Sequence, residues 1–481
     1  MDRNSTLEPE DWQDFRKLAH DALDNAISHL ETRGNLPVWQ RVPDDIRASL
    51  GAELPIMGSD IASLNQRIVR DFLPYDIGNT HPRFFGWVHG SGTVQGLIPD
   101  IFTAAMNANL GGRDHLANEV EKQVIDWCRC VFGLPDTAGG LVVSGTSMAT
   151  LIALKTALNK CGGTELRDQG LAAMEKPLVG YASAEAHSCI ARSFDILGLG
   201  KNALRPIPVD ADFRMDPKAL EAAIIGDLAN GITPFCIIAT AGSVNVGSID
   251  PLNALAEIAE KHCLWLHVDG AFGALAVLSN PLKPLLAGIE KADSLAFDFH
   301  KWMHVNYDAG MVLVRNAEDQ RQAFSERPDY LGAANRGLAA GNPWFCEYGP
   351  ELSRGFRALK IWYQMAHFGL ERIGAQIAQN CLQAQHLATR VAAEIELEGL
   401  APTALNITCF RFNPGGLDET RLDRINGEIV IRLQETGVAA PSTTKIDGRL
   451  AIRVNITNHR TQFADLDLLA DTVLALGREL V

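Results

Sequence analysis

The sequence predicts an α/β protein: a large domain built on a central, mostly parallel sheet, followed by a small α+β domain. Three observations carry this. From about Asn109 to Arg315, short apolar runs ("GLVVS", "LVGYAS", "FCIIAT", "LWLHVD", "SLAFDF", "MVLVR") alternate with helical stretches such as "SMATLIALKTALNK" and "DPLNALAEIAEKH". Strand–helix repetition of this kind makes parallel sheets covered on both faces. The tail changes character, with strand-like "NITCFRF" and "GRLAIRVNIT" around the helical "DETRLDRINGEIVIRLQETG". Finally, 481 residues exceed what a single core organises.

In chain order, "EDWQDFRKLAHDALDNAISHLETR" repeats apolar residues at helical steps (Trp12, Phe15, Leu18, Ala22, Ile27, Leu30), and "GNLPVW" and "GAELPIMG" interrupt it as loops. Residues 1–85 form an arm with too little core of its own, which must pack on the rest of the chain or on a second subunit. Residues 86–375 form the large domain and 376–481 the small one. The stretch "NAEDQRQAFSERPDYLGAANRGLAAGNPW" reads as a long connection suited to a lid, and "RGFRALKIWYQMAHFGLERIGAQIAQNCLQAQHLATRVAAEI" as a helix after it.

Composition excludes several classes. A net charge of −15, from 43 basic and 58 acidic residues, argues against a nucleic-acid or anionic-membrane surface. No apolar run reaches bilayer length, and the polar, acidic start "MDRNSTLEPEDWQDF" is not a signal peptide. Nine scattered cysteines, with one CxC pair at Cys128 and Cys130, fit reduced thiols in the cytoplasm better than structural zinc.

Ligands of parallel sheets collect at strand carboxyl ends, so the residues following each run are the informative ones. After "GLVVS" comes "GTSMAT": Gly145, Thr146 and Ser147 open a helix, where they can cap it or cradle a phosphate. After "LVGYAS", His187 stands between strand and helix, able to stack on a flat ring or to serve as a loop residue. After "FCIIAT", the small residues Thr240, Gly242 and Ser243 allow close approach. Asp269 ends the apolar "LWLHVD", where a carboxylate is costly unless paired; it can cap the next helix or neutralise a buried cation. His300 and Lys301 follow "SLAFDF". A metal site on His267, Asp269, His300 and His304, serving a hydrolase, is one way to combine these groups. Another is a phosphate-bearing pyridine cofactor, which needs an anion cradle, a carboxylate for its ring nitrogen, a flat neighbour and an amine for its aldehyde. Pyridoxal 5'-phosphate meets all four requirements, and Lys301 is then the amine.

The stretches "HPRFFGWVHGSGT", "SGTSMAT", "SAEAHSCIARSFDILGLG", "WLHVDGAFG", "FDFHKWMHVNYDAG", "RPDYLGAAN" and "RVNITNHRT" occur in the order found in group II pyridoxal-phosphate-dependent amino-acid decarboxylases, which the chain resembles from about His81 to Arg460. The resemblance implies the fold-type I (aspartate aminotransferase-like) scaffold and release of CO2 from an amino acid through an external aldimine and a quinonoid. It implies that Lys301 binds the cofactor aldehyde, that Asp269 pairs with the pyridinium, and that His187 and Ala271 cover the two ring faces. Gly145, Thr146, Ser147 and His300 hold the phosphate, Thr240 lies beside the ring, and Tyr330 on the lid protonates Cα. Phe85, Trp87, Val88, His89 and Trp302 line the side-chain pocket, which suits an aromatic substrate. A homodimer with shared active sites is implied as well. The chain departs from the family pattern at Gly270, Phe272 and Met148. Arg453 either grips the substrate carboxylate, as in transaminases on this scaffold, or is structural; another pyridoxal reaction, such as transamination, aldol cleavage or aldehyde synthesis, is the alternative.

Overall fold

The structure, a computed structural model, describes residues 6–51, 54–326 and 334–481. Its centre is a seven-stranded sheet in the order Gly139–Val143, Gly310–Val314, Ser294–Asp298, Trp265–Asp269, Thr233–Thr240, Leu178–Ser183, Leu204–Ile207. Only Gly310–Val314 runs antiparallel to its neighbours; the other pairings are parallel. Leu178–Ser183, Trp265–Asp269 and Ser294–Asp298 are buried at every position. That is why they read as unbroken apolar runs rather than alternating ones: helices cover both faces.

A second sheet of five strands has the order Phe84–Phe85, Ala440–Ile446, Arg449–Asn455, Ile407–Phe412, Leu397–Gly399. Its core includes Phe85, Leu387, Phe410, Ile429, Ile452 and Leu469. The helix Glu419–Glu435 packs on it and starts where expected, its N-cap Asp418 accepting the Arg421 N–H. The strand Ala440–Ile446 and the short Phe84–Phe85 are not evident in the sequence. The latter pairs in parallel with Ala440 and Pro441, so the chain visits the small sheet before it builds the large one.

Three expectations on secondary structure need correction. The long connection contains a helix, Ala317–Phe324, whose N-cap Asn316 accepts the Glu318 N–H. The expected continuous helix Ala358–Ala393 breaks at Gly369, where φ is +70°, a left-handed conformation that glycine adopts without cost. The N-terminal region holds further helices at Asp44–Ser49 and Ile61–Arg67, too short to show a period. The arm helix itself, Trp12–Thr32, forms behind N-cap Asp11 and buries none of its residues. No helix among the described residues is long and apolar enough to cross a membrane.

A buried ion pair joins the elements around the large sheet. Arg354 and Glu121, both about 1% exposed at the side chain, bond to each other. Arg354 also donates to the Leu110 and Val142 carbonyls, while Glu121 accepts the Val142 N–H. Removing one member leaves the other charged and dry. Glu121→Ala should therefore lower unfolding stability by about 3–5 kcal/mol in urea denaturation, with part of the loss recovered when Arg354→Met is added; a loss under about 1 kcal/mol would contradict the assignment.

Candidate active site

Strand register aligns the site. Thr240 pairs with Asp269, and Asp269 with Ala296, so three neighbouring strands end at one level. Asp298 lies two residues beyond Ala296 and on the same face. Helix Thr146–Gln169 begins directly above the end of Gly139–Val143. His187 is the N-cap of helix Ser188–Ile196, its Nδ1 accepting the Cys189 N–H at 3.2 Å.

Together these ends enclose a cavity of about 530 Å3. Gly145, Thr146, Ser147, His187, Thr240, Asp269, Ala271, His300 and Lys301 all line it, and Trp87, Val88 and His89 form one wall. A larger cleft of about 810 Å3 opens beyond the Val246–Leu252 loop, but it contains none of these groups. Two expected pocket residues lie elsewhere. Phe85 is fully buried in the small-sheet core. Trp302 turns away from Lys301 within the short helix Phe299–Trp302; its indole N–H donates to Asn380 Oδ1 at 3.0 Å and its ring meets Phe272. Tyr330 lies outside the described residues. His267 faces inward to Ser294 and Thr150, away from His300, which dissolves the proposed metal quartet.

Three cavity residues escaped sequence reasoning: Asp298, Tyr307 and Cys189. Asp298 carried a usable signal, since it is a carboxylate ending an apolar strand, as Asp269 is. Its Oδ2 lies 2.9 Å from Lys301 Nζ, and its Oδ1 accepts the Thr146 N–H at 2.7 Å. Tyr307 packs its ring on His300, centroids 4.3 Å apart. Cys189 Sγ is 3.9 Å from Asp269 Oδ2.

Burial drags the Lys301 ammonium down, but the carboxylate of Asp298, helped by Asp269, outweighs it and holds the amine above its ordinary value. Burial pushes the Asp269 carboxyl up, against the opposing pull of Lys301. His187 and His300 are both lowered by burial, so their imidazoles stay neutral. Asp269 is about 3% exposed and accepts the Ala271 N–H at 3.1 Å, yet among the described residues no cation stands within ion-pair distance. A buried carboxylate so placed calls for a cationic partner. Thr146 Oγ1 and Thr240 Oγ1 are likewise buried without a partner among the described residues and border the cavity.

Arg453 resolves as a structural residue in this arrangement. It is about 2% exposed, and its guanidinium donates to the carbonyls of Asn245 at 3.0 Å, Trp87 at 2.8 Å and Val244. Burial pulls it down to about 10. Arg83 is also committed elsewhere, to the Val438 carbonyl and Asp465.

A family model described as "pyridoxal-dependent decarboxylase conserved domain" matches residues 43–413. The chain is 32% identical to the aromatic-L-amino-acid decarboxylase of Bacillus atrophaeus, over 97% of this chain and 96% of that one. It is 29% identical to tyrosine decarboxylase 3 of Petroselinum crispum, covering 94% and 89%. The solved structure of Catharanthus roseus tryptophan decarboxylase in complex with L-tryptophan superposes with a TM-score of 0.88 at 24% identity, covering 98% of this chain and 100% of that one; this likeness bears on the fold, which is fold-type I.

Pyridoxal 5'-phosphate fits the residues present. Among the described residues, Asp269 without an ion-pair partner suits its ring N–H+, the orphan hydroxyl of Thr146 beside a helix start suits its phosphate, and Lys301 is the only lysine lining the cavity. Lys301→Ala should accordingly give a protein whose cofactor is no longer fixed to the chain by borohydride, read by mass spectrometry; retained fixation would place the linkage on another residue.

Proposed function

The chain belongs to the pyridoxal-dependent decarboxylases, and on that premise we propose that its substrate is an aromatic L-amino acid, released as the amine and CO2. The observation that carries the choice of substrate is the cavity lining. Trp87, Val88, Phe272 and Tyr307 present apolar and aromatic surface, and among the described residues Lys301 is the only lysine or arginine in the lining. Among the described residues an acidic side chain finds no guanidinium in the lining, and the nearby Arg83 and Arg453 are spent on other partners. An aromatic ring instead gains burial against aromatic walls. The similarity to aromatic-L-amino-acid and tyrosine decarboxylases supports the same reading.

When bound, pyridoxal 5'-phosphate supplies an aldehyde for the substrate amine and a ring that accepts the electrons left as the carboxylate departs. The chain's part is placement and proton control. Asp269 keeps a proton on the ring nitrogen, which the low-dielectric site would otherwise disfavour. His187, neutral at ordinary pH, offers a flat face beside it. Thr146, Ser147 and His300 hold the phosphate end. Asp298 keeps the Lys301 amine positioned, and Lys301 Nζ takes and returns protons. Tyr330 delivers the proton to Cα, which favours amine over aldehyde as product. The apolar wall excludes water from the reacting centre.

The same reading includes a homodimer. The arm helix Trp12–Thr32 has no buried residue and exposes Trp12, Phe15 and Ile27. Helix Leu97–Met106, which follows the pocket wall in sequence, exposes Ile98, Ile101, Phe102 and Met106. Apolar surface of that extent favours a second copy, and its closeness to the wall favours sites completed across the interface. Cys128, Cys189, Cys236, Cys381 and Cys409 are buried thiols outside any disulfide, which supports a reducing compartment such as the cytoplasm.

Assaying the holoenzyme with tryptophan, phenylalanine, tyrosine, dopa, glutamate and aspartate for CO2, amine and aldehyde tests the substrate. The aromatic set should exceed the acidic pair by at least about a hundredfold in kcat/KM; turnover of glutamate at a comparable rate, or aldehyde as the main product, would overturn the reading. In sedimentation, the protein should run as a dimer that the double substitution Ile101→Asp, Phe102→Asp dissociates, with activity lost in parallel; a fully active monomer would refute the shared site.

A further inference from the structure

The pocket wall is tied to the rest of the site through an arrangement that the catalytic roles leave unused. Ser91 follows the wall residues, and its hydroxyl reaches two imidazoles: His304 Nδ1 at 3.3 Å and His459 Nδ1 at 3.1 Å. The two rings lie 5.0 Å apart, edge to face. These three residues come from three separate parts of the molecule. Ser91 belongs to the wall loop, His304 to the segment just after Lys301, and His459 to the chain leaving the last small-sheet strand, Arg449–Asn455.

Neighbouring contacts run in the same direction. Gly90 packs so closely on the His300 carbonyl that a Cβ would lie 1.6 Å from its oxygen. Thr93 N–H donates to Asn306 Oδ1 at 3.0 Å. Gln364 bonds both Thr93 and the Met303 carbonyl. Arg460, beside His459, donates to the Ser91 and Gly92 carbonyls. The wall and the lysine-bearing segment are thus stitched together, and the small domain holds the seam from outside.

Hydrogen-bond balance assigns the protons. His304 Nε2 is buried with no partner among the described residues, so the ring proton belongs on Nδ1, where Ser91 Oγ accepts it. The Ser91 proton is then free for His459 Nδ1. Both rings are kept neutral by burial, with Arg460 adding to the effect: His304 is lowered to about 3 and His459 to about 2. His304 also holds φ at +57°, a left-handed conformation uncommon outside glycine, though histidine adopts it more readily than most side chains. Local strain of this sort persists only where surrounding contacts enforce it.

We propose that Ser91, His304 and His459 form a positioning clip that sets the spacing between the pocket wall, Trp87–His89, and Lys301, so that the seating of the small domain governs substrate affinity. None of the three lines the cavity; they act through the wall. The proposal rests on the decarboxylase activity alone and not on the aromatic substrate.

The test is steady-state kinetics of the holoenzyme with whichever amino acid the wild type decarboxylates best. Ser91→Ala leaves the His304 N–H buried and unpaired, so KM should rise about tenfold. The cofactor absorbance should stay unchanged, and kcat should remain within about threefold, as for a loss of uniform binding. His304→Asn keeps a donor at the Nδ1 position and tolerates the left-handed backbone, so it should restore KM to within about threefold of wild type, whereas His304→Leu should not. Should Ser91→Ala fail to give soluble holoenzyme, the partly exposed His459 decides: Asn retains an acceptor in place of Nδ1 and Leu does not. A KM for Ser91→Ala within about twofold of wild type, or equal KM values for His459→Asn and His459→Leu, would overturn the clip. A wild type inactive on aromatic amino acids but active on another would defeat the substrate reading and leave this test intact.

Discussion

Asp298 is the carboxylate on which the site depends. Some 2% exposed at the end of a central strand, it accepts the first N–H of the helix that starts at Thr146 and receives the Lys301 ammonium from three residues downstream. A single buried anion therefore fixes the phosphate end of the site relative to the amine. Its desolvation is offset because both oxygens are engaged by strong donors, one of them charged. The spacing is set locally: a strand ending at 298 and a helical turn through 302, unexpected from the sequence, bring residue 301 back over its own strand end. Gly310 makes room for this contact, since a Cβ there would stand 2.6 Å from Asp298 Oδ1.

Asp269, two strand positions earlier in the same layer, has the opposite character. It is as buried as Asp298 but lacks a cation of its own among the described residues. The difference divides the labour between them: Asp298 satisfies the protein's own amine, while Asp269, on the reading proposed above, is left for a charge that arrives with the cofactor. Thr240, in register with Asp269, shows the same incompleteness in its free hydroxyl, although its backbone N–H is secured by Asp250 at 2.7 Å. A site held in register by its strands, with a carboxylate and hydroxyls left unpaired among the described residues, is pre-organised for a ligand.

How much of this could be read beforehand depends on the range of the interaction. Lys301, Asp269 and His187 were legible because an ionisable group at the end of an apolar run contradicts its surroundings locally. Thr146 and Ser147 were legible because a glycine before hydroxyl residues opens a helix. Asp298 sends the same local signal, overshadowed by the His–Lys pair that follows it. Phe85 and Trp302 were misplaced for a different reason. Which face an aromatic residue shows depends on the sheet its strand joins, and Phe84–Phe85 joins the distant one through residues 440 and 441. Trp302 is next to Lys301 in sequence, but one helical step of about 100° turns it into the core. Tyr307 and Cys189 enter the cavity beside His300 and His187, but no charge or period in the sequence marks them as facing it.

The commitments of the arginines complete the argument about chemistry. A carboxylate held by a guanidinium is stabilised as an anion, and its loss as CO2 is opposed by that bond. Arg453 reaches the edge of the site, yet spends its donors on the carbonyls of Trp87, Val244 and Asn245. It thereby holds the wall and the loop after Thr240 against the small sheet. Burial of this guanidinium is tolerable because three carbonyl dipoles replace water. On the reading proposed above, Arg453 is committed to these carbonyls and is not the group that grips the carboxylate of a bound amino acid. The residue that would protect the carboxylate on a transaminating scaffold is here part of the masonry, and the same bonds that hold the pocket together leave decarboxylation as the favoured outcome.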